Sequence, residues 1–223
     1  MPKVHPLRLL LLFLALCLLA GSLAAAHTLN YAQVAHAYLH QAELSRAANN
    51  EARAIHYQRL YLQKQPDAPN VLQTQAELLS TKSDRPSLDE ALILLERLLL
   101  LQPTNRTARE KLIDLTIQAG RFRDSQHHIE ELLKTEKPNA KLLSQLAICR
   151  WANLELNGAE ELFVSALERD ISYREAVFGL FDLGLMKRDT DLMRSALCVL
   201  ESIFPEDPET VTRLFQFAQL QPQ

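Results

Sequence analysis

The sequence predicts an all-α solenoid of about five helical hairpins closed by one further helix. Three observations predict it. Glycine is scarce, 5 of 223 residues, while Leu, Ala, Gln and Glu abound, a composition that favours helix over strand. Apolar residues recur at helical spacing: Leu143, Leu146 and Ala147 fall at i, i+3 and i+4, and Ala159, Phe163 and Ala166 at i, i+4 and i+7. Finally, Pro66, Pro103, Pro138, Ser172 and Pro205 punctuate the chain at steps of 37, 35, 34 and 33 residues. A hairpin of two amphipathic helices cannot bury both of its faces alone, so a recurring unit of this size implies stacked copies.

Residues 1–26 form a leader of their own. Lys3 and Arg8 precede an apolar run from Leu9 to Leu19, which ends in Gly21-Ser22-Leu23-Ala24-Ala25-Ala26. A basic start, an apolar middle and an Ala-x-Ala ending are the parts of a signal peptide, with cleavage expected after Ala26. An uncleaved membrane anchor also fits, because the 20 residues from Leu7 to Ala26 span about 30 Å as a helix. Leu14-Ala15-Leu16-Cys17 further resembles a bacterial lipobox, with a bulky Leu before the Cys. All three readings export the repeats, and membrane contact is expected only through residues 7–26, if these are retained.

The hairpins are expected over 29–65, 69–102, 104–137, 139–171 and 173–205, with a cap over 207–220, all within one domain, 27–223. Ser80 to Ser87 lengthens the turn inside the second hairpin and accounts for the longest step. Gly120-Arg121-Phe122 marks the turn of the third, and Asn157-Gly158 the break in the fourth. In that fourth hairpin the small residues Ala147 and Ala159 permit close approach, and Leu146 and Phe163 fill the seam. Ser87 with Glu90 and Ser172 with Glu175 read as capping boxes. Pro69 suits a first helical turn, and Asn105-Arg106-Thr107, although it fits a glycosylation sequon, reads after Thr104 as a helix start. On the last helix, Val211, Leu214, Phe215 and Ala218 share one face and are expected to cover the fifth hairpin.

The charges are 24 Lys and Arg against 27 Asp and Glu, and without the leader 22 against 27. A mildly acidic chain with no basic tract argues against nucleic acid as partner and against electrostatic docking on anionic lipid. Beyond the leader stand two cysteines, Cys149 and Cys198, read as two buried thiols or as one disulfide across neighbouring hairpins. Gly120, Gly158, Gly179 and Gly184 stand apart, so no phosphate loop forms. Paired-cysteine metal motifs and nucleophile elbows are absent from the sequence, and no enzyme is expected.

The pattern resembles the tetratricopeptide-repeat family over about Leu29 to Pro205. The resemblance rests on the period near 34 and on the second helices: Ala91, Leu95 and Leu98; Ser125, Ile129 and Leu132; Ala159, Phe163 and Ala166; Met193, Leu197 and Leu200. It is loosest in the first hairpin, at Tyr57 and Tyr61. It implies a right-handed superhelix whose first helices line a concave groove. Groove positions carried over from the family are His36, Leu39, His40 and Glu43, then Glu77 and Ser80, then Glu110, Asp114, Ile117 and Gln118. Ser144, Ile148 and Trp151 come next, and Phe178, Asp182 and Leu185 close the row. Trp151, the sole tryptophan, is a partner anchor on this reading and ordinary core on the other. Repeats that clamp a peptide carboxylate use Lys and Asn at positions held here by Leu39, Glu110, Ser144 and Phe178, and by Glu43, Asp114, Ile148 and Asp182. Acidic and apolar groups in those places suit a basic and apolar partner segment instead.

The resemblance implies a non-catalytic, cofactor-free adaptor with another protein as its partner, and the leader with the Leu-, Gln- and Ala-rich composition points to the cell envelope, in a Gram-negative periplasm. Exported repeat proteins of this kind serve pilus assembly, cytochrome c maturation, or outer-membrane and cell-wall machines. The alternative is a metal- or haem-handling periplasmic chaperone, in which His36 and His40, four apart on one helix, act with His27. That spacing supplies two ligands and no evident third.

Overall fold

The computed structural model describes the backbone of residues 6–220 and, within the first helix, the side chains of residues 13–19, 21, 22, 31 and 33 onward. Those residues form eleven α-helices and no strand. They divide into two compact units, 1–103 and 104–223. The first unit holds α1 (Pro6–Ala47), α2 (Glu51–Lys64), α3 (Pro69–Ser80) and α4 (Arg85–Leu101). The second holds α5 (Arg106–Gln118), α6 (Phe122–Leu133), α7 (Ala140–Ala152), α8 (Leu156–Arg169), α9 (Arg174–Lys187), α10 (Thr190–Ile203) and α11 (Pro208–Leu220). Helices pack in successive pairs, α1 on α2, α3 on α4, and so on to α9 on α10, with α11 coming last as a single helix.

The apolar spacing of each second helix becomes its buried face. Ala91, Leu95 and Leu98 of α4, Ser125, Ile129 and Leu132 of α6, Ala159, Phe163 and Ala166 of α8, and Met193, Leu197 and Leu200 of α10 are all buried. Ala147 and Ala159 are both fully buried, so small residues do let α7 and α8 approach. The seam is filled differently from expectation. Leu143, not Leu146, shares the cluster of Phe163, whereas Leu146 packs with Ile113, Ile129 and Cys149. Phe163 in turn reaches the next hairpin, where a Cβ on Gly179 of α9 would lie 2.4 Å from its Cζ.

The turns inside four of the five hairpins share one backbone solution. Asn49, Gly120, Leu154 and Arg188 adopt left-handed φ values of 54°, 74°, 64° and 57°. The next amide donates to the carbonyl five residues back in each: Asn50 to Ser45, Arg121 to Thr116, Glu155 to Arg150 and Asp189 to Gly184, at 2.8–3.0 Å. This closes the helix C-terminus and reverses the chain in one step. Gly120 holds its place because glycine carries no Cβ penalty there. The fourth hairpin therefore turns at Asn153-Leu154-Glu155, and Asn157-Gly158 lies inside α8.

Two expected caps give way to neighbours. Asp84 caps α4, accepting from the Ser87 amide at 2.9 Å, which leaves Glu90 to Arg59 and Gln75. The turn between α3 and α4 is correspondingly short, residues 81–84, because Arg85 and Pro86 already belong to the helix. At α9 the cap residue is Tyr173, and the Ser172 amide donates to Asp170. Asn50, Asn105, Asn139 and Asp189 cap four other helices through their side chains, and Pro69 opens α3. Cys149 is buried, and burial pushes its thiol pKa up; Cys198 is exposed, and both are free thiols. The face of α11 also differs. Thr210, Leu214 and Phe217 turn inward, while Val211 and Phe215 are exposed.

This packing sets the sign of two stability changes. Leu154 is 73% exposed and left-handed, so Leu154→Gly removes strain without loss of contacts and is expected to raise unfolding free energy by about 0.5–1 kcal/mol. Gly179→Ala would raise helix propensity by about 1 kcal/mol, but the fixed Phe163 ring blocks the methyl, so a net loss of about 1–3 kcal/mol is expected. Denaturant titration of each variant checks both signs.

Candidate partner-binding surface

The first helices of the second unit, α5, α7 and α9, and then α11, are tied together along one side by side chains that reach from each helix to the next in the row. Asp114 on α5 accepts from Gln145 Nε2 at 2.6 Å and from Lys141 Nζ at 3.0 Å, both on α7. Asp182 on α9 accepts from Arg213 of α11 through Nε at 3.1 Å and Nη2 at 2.8 Å. Gln145 and Arg213 each stand 31 residues after the carboxylate they meet. Between α7 and α9 that register holds Ile148 and Gly179, and the link is made instead by Trp151, whose Nε1–H donates to Met186 Sδ at 2.9 Å.

These pairings change the chemistry expected of the row. Asp114 and Asp182 are both ion-paired, and Glu110 pairs with Arg106 at 2.8 Å. The acids that α5 and α9 offer to a basic segment are thus already met by cations of this chain. Phe178, expected on the open surface, is buried between two guanidinium groups, with Arg213 Cζ 4.1 Å and Arg174 Cζ 4.5 Å from its ring centre. Arg174 is held in turn by Asp207 at 2.6 Å. Ser144 is buried too. Gln118 and Leu185 are exposed, and Asp114, Ile117, Ile148, Trp151 and Asp182 are half-buried. Trp151 lies with one side against the core of α7–α10 and its Nε1 edge at the surface.

In the first unit, His36, His40, Glu43 and Glu77 are exposed and Leu39 is half-buried. Ser80 is half-buried, and its hydroxyl donates to the Glu77 carbonyl at 2.7 Å. Among the described residues, no three His, Cys, Asp or Glu side chains are grouped to hold a metal ion. His27 lies outside the described side chains. The second unit also carries an open cleft of about 480 Å³ lined by Arg123, Gln126, His127, Glu130, Asn153 and Glu155, and another of about 440 Å³ lined by Leu185, Arg188, Thr190, Met193 and Leu220. The imidazole next to His127 turns away: His128 sits half-buried 3.4 Å from Arg109. Burial, then the Arg109 charge, lower its pKa to about 4.

Solved structures give this arrangement a context. A tetratricopeptide repeat protein from Parabacteroides merdae superimposes with a TM-score of 0.68 at 17% identity, covering 84% of this chain and 73% of its own. YrrB, described as a TPR protein with an unusual peptide-binding site, gives 0.63 at 15% identity, with 78% and 89% covered. The chain has the tetratricopeptide-repeat fold. PilW, described as a widely conserved type IV pilus biogenesis factor, shares it at a TM-score of 0.60 and 16% identity, covering 95% of this chain and 100% of its own. No protein-family model and no curated protein matches the chain.

The residues of this surface that sequence reasoning missed are the donors: Lys141, Gln145, Arg174 and Arg213. For two of them an interval of 31 residues was the available signal, since it joins Asp114 to Gln145 and Asp182 to Arg213, each one first helix onward.

The His128 environment carries a pH consequence. The unfolded chain protonates this imidazole near the ordinary 6.5, whereas the folded chain does so only near 4. Between those values the unfolded state binds more protons, so stability falls as pH falls from 6.5 towards 4. Solvent at the half-buried ring limits the loss to about 1–2 kcal/mol. Thermal melts at pH 7 and pH 5 should show a smaller difference in His128→Gln than in wild type.

Proposed function

We propose that the protein is a non-catalytic adaptor of the cell envelope that holds a segment of a partner protein along the first helices of its repeats. The observation that carries this reading is the Trp151 position. An indole edge lies half-open beside Ile148 and the exposed Met186, on a row whose carboxylates are neutralised by Lys141 and Arg213. Such a surface favours a segment that is apolar and hydrogen-bonding over one that is strongly basic, because a basic segment would have to displace existing ion pairs. An aromatic side chain with a polar edge is also the kind of group that dominates binding energy at interfaces. The peptide-binding site named for YrrB and the pilus role named for PilW are in keeping with a protein partner.

The leader supports an envelope location. Phe13, Leu14, Leu16, Leu18 and Leu19 are all exposed along α1. Lys3 and Arg8 precede this run, which under the positive-inside rule leaves the repeats outside the cytoplasm, whether the leader is retained or removed. Among the residues whose side chains are described, no helix is long and apolar enough to cross a membrane, and most of the leader lies outside them. No catalytic or cofactor role enters this reading.

The test is affinity capture from crosslinked, solubilised envelopes with the full chain. The comparison is wild type against Trp151→Ala/Gln118→Arg, with circular dichroism confirming equal helix content. The expected outcome is a protein retained by wild type and depleted about ten-fold or more by the variant, which removes the indole anchor and adds a charge beside it. Equal capture by both would move the working surface elsewhere, the cleft beside His127 being the next to vary.

A further inference from the structure

Three methionines occur in the chain, Met1, Met186 and Met193. Met1 lies outside the described residues. Met193, on α10, is 2% exposed, with its Cγ 2.9 Å from where a Cβ on Gly184 would stand. Met186, near the end of α9, is the opposite case at 49% exposed. Its sulfur is also engaged, because Trp151 Nε1–H of α7 donates to Sδ at 2.9 Å. A thioether sulfur is a weak acceptor with two lone pairs, so a single donor leaves one of them unmet. Among the described residues, the exposed methionine is thus joined to the chain's one tryptophan. Both belong to the second unit, on the surface assigned to a partner segment.

We propose that Met186 is a modification site, oxidised to the sulfoxide by hydrogen peroxide, and that the sulfoxide withholds the Trp151 N–H from the partner. The free sulfur lone pair attacks one peroxide oxygen, and the S–O bond forms as the O–O bond breaks. The bonding pair leaves on the second oxygen, which takes the proton of the transferred one. Sulfur is oxidised by two electrons and the peroxide is reduced to water. Before the step, the indole N–H is held only by a weak acceptor, and a partner's backbone carbonyl can take it over. After it, a strongly accepting oxygen is bonded to that same sulfur and claims the N–H with little movement of either side chain. A polar S=O also stands where the apolar thioether did. Both changes oppose an apolar, hydrogen-bonding segment. Met186 lies at the surface, so the helices keep their packing, and sulfoxide reductases can reverse the change. The effect on binding rests on the partner surface already proposed, whereas the oxidation itself does not.

The test uses the full chain in a Cys17→Ser/Cys198→Ser background, since those exposed thiols also react with hydrogen peroxide. Peptide mass mapping over a time course is expected to show Met186 gaining one oxygen at least roughly ten-fold faster than Met193, as exposure dictates. Tryptophan emission should move to longer wavelength in step with that gain, because a polar acceptor replaces a thioether at the indole N–H. Treatment with methionine sulfoxide reductases for both epimers should return it, and Met186→Leu should show no shift. In crosslinked envelopes the oxidised chain should retain about ten-fold less partner than the reduced chain, and Met186→Leu should lose this response to peroxide. Met193 oxidising as fast as Met186 overturns the proposal, and so does an emission unchanged once Met186 is fully converted. It is equally overturned if capture lost in Trp151→Ala/Gln118→Arg survives complete oxidation of Met186. Capture that never depends on Trp151 defeats the partner surface and with it the effect on binding, while the mass and emission measurements decide the modification by themselves.

Discussion

Close approach between the two helices of a hairpin governs nearly everything else in these units. Ala147 against Ala159 sets the distance between α7 and α8, and the Phe163 ring, fixed by that distance, extends to the backbone of α9 at Gly179. The same side chain thus closes one hairpin and seats the next. Because the apolar face of each first helix is buried by its own second helix, side chains at Ala76, Ile113 and Phe181 could diverge in size while staying fully buried. What is conserved along the row is the covering, and the volume is shared out differently in each hairpin. Where Phe181 is large, the facing Met193 is long and unbranched, and Gly184 lets it lie against the backbone.

Local backbone chemistry serves that packing and does not determine it. Four hairpins reverse through one left-handed residue, yet the residues there are Asn49, Gly120, Leu154 and Arg188, of which only the glycine is free of strain. Leucine and arginine in left-handed conformation cost about 1–2 kcal/mol each, and the burial of the two helices that each turn joins outweighs it. Tertiary packing overrides propensity at these turns, and the caps behave alike: Asp84 takes the role that Ser87 with Glu90 offered, which frees Glu90 for Arg59 and Gln75 of the same unit.

This explains which parts of the fold were legible in the sequence. The second-helix faces were, because Ala159, Phe163 and Ala166 define one stripe and one partner. So was Gly120, since its φ demands glycine-like freedom. The turn at Leu154 was hidden because Asn157-Gly158, three residues on, carries the stronger turn signature, and Gly158 instead rides in the first turn of α8. The neutral charge of the row was hidden for a different reason. Asp114 and Asp182 read as free acids along their own helices, and their cations arrive from 27 and 31 residues away. Periodicity reports what one helix presents, and ion pairs between neighbours lie beyond it.

The misreading of α11 has the same root and carries the most weight. A first helix in this fold has two apolar sides, one toward the preceding hairpin and one toward its own second helix. Val211, Leu214, Phe215 and Ala218 straddle both, so a single amphipathic stripe could not reveal which side was taken. Arg213 decides it. Its side chain, 13% exposed, stacks on Phe178, bonds Asp182 and meets Glu209, fixing the rotation of α11 about its own axis. With that rotation fixed, Leu214 and Phe217 must face inward and Phe215 must face out. The polar clamp that fastens α11 is therefore also what presents its second apolar side to solvent.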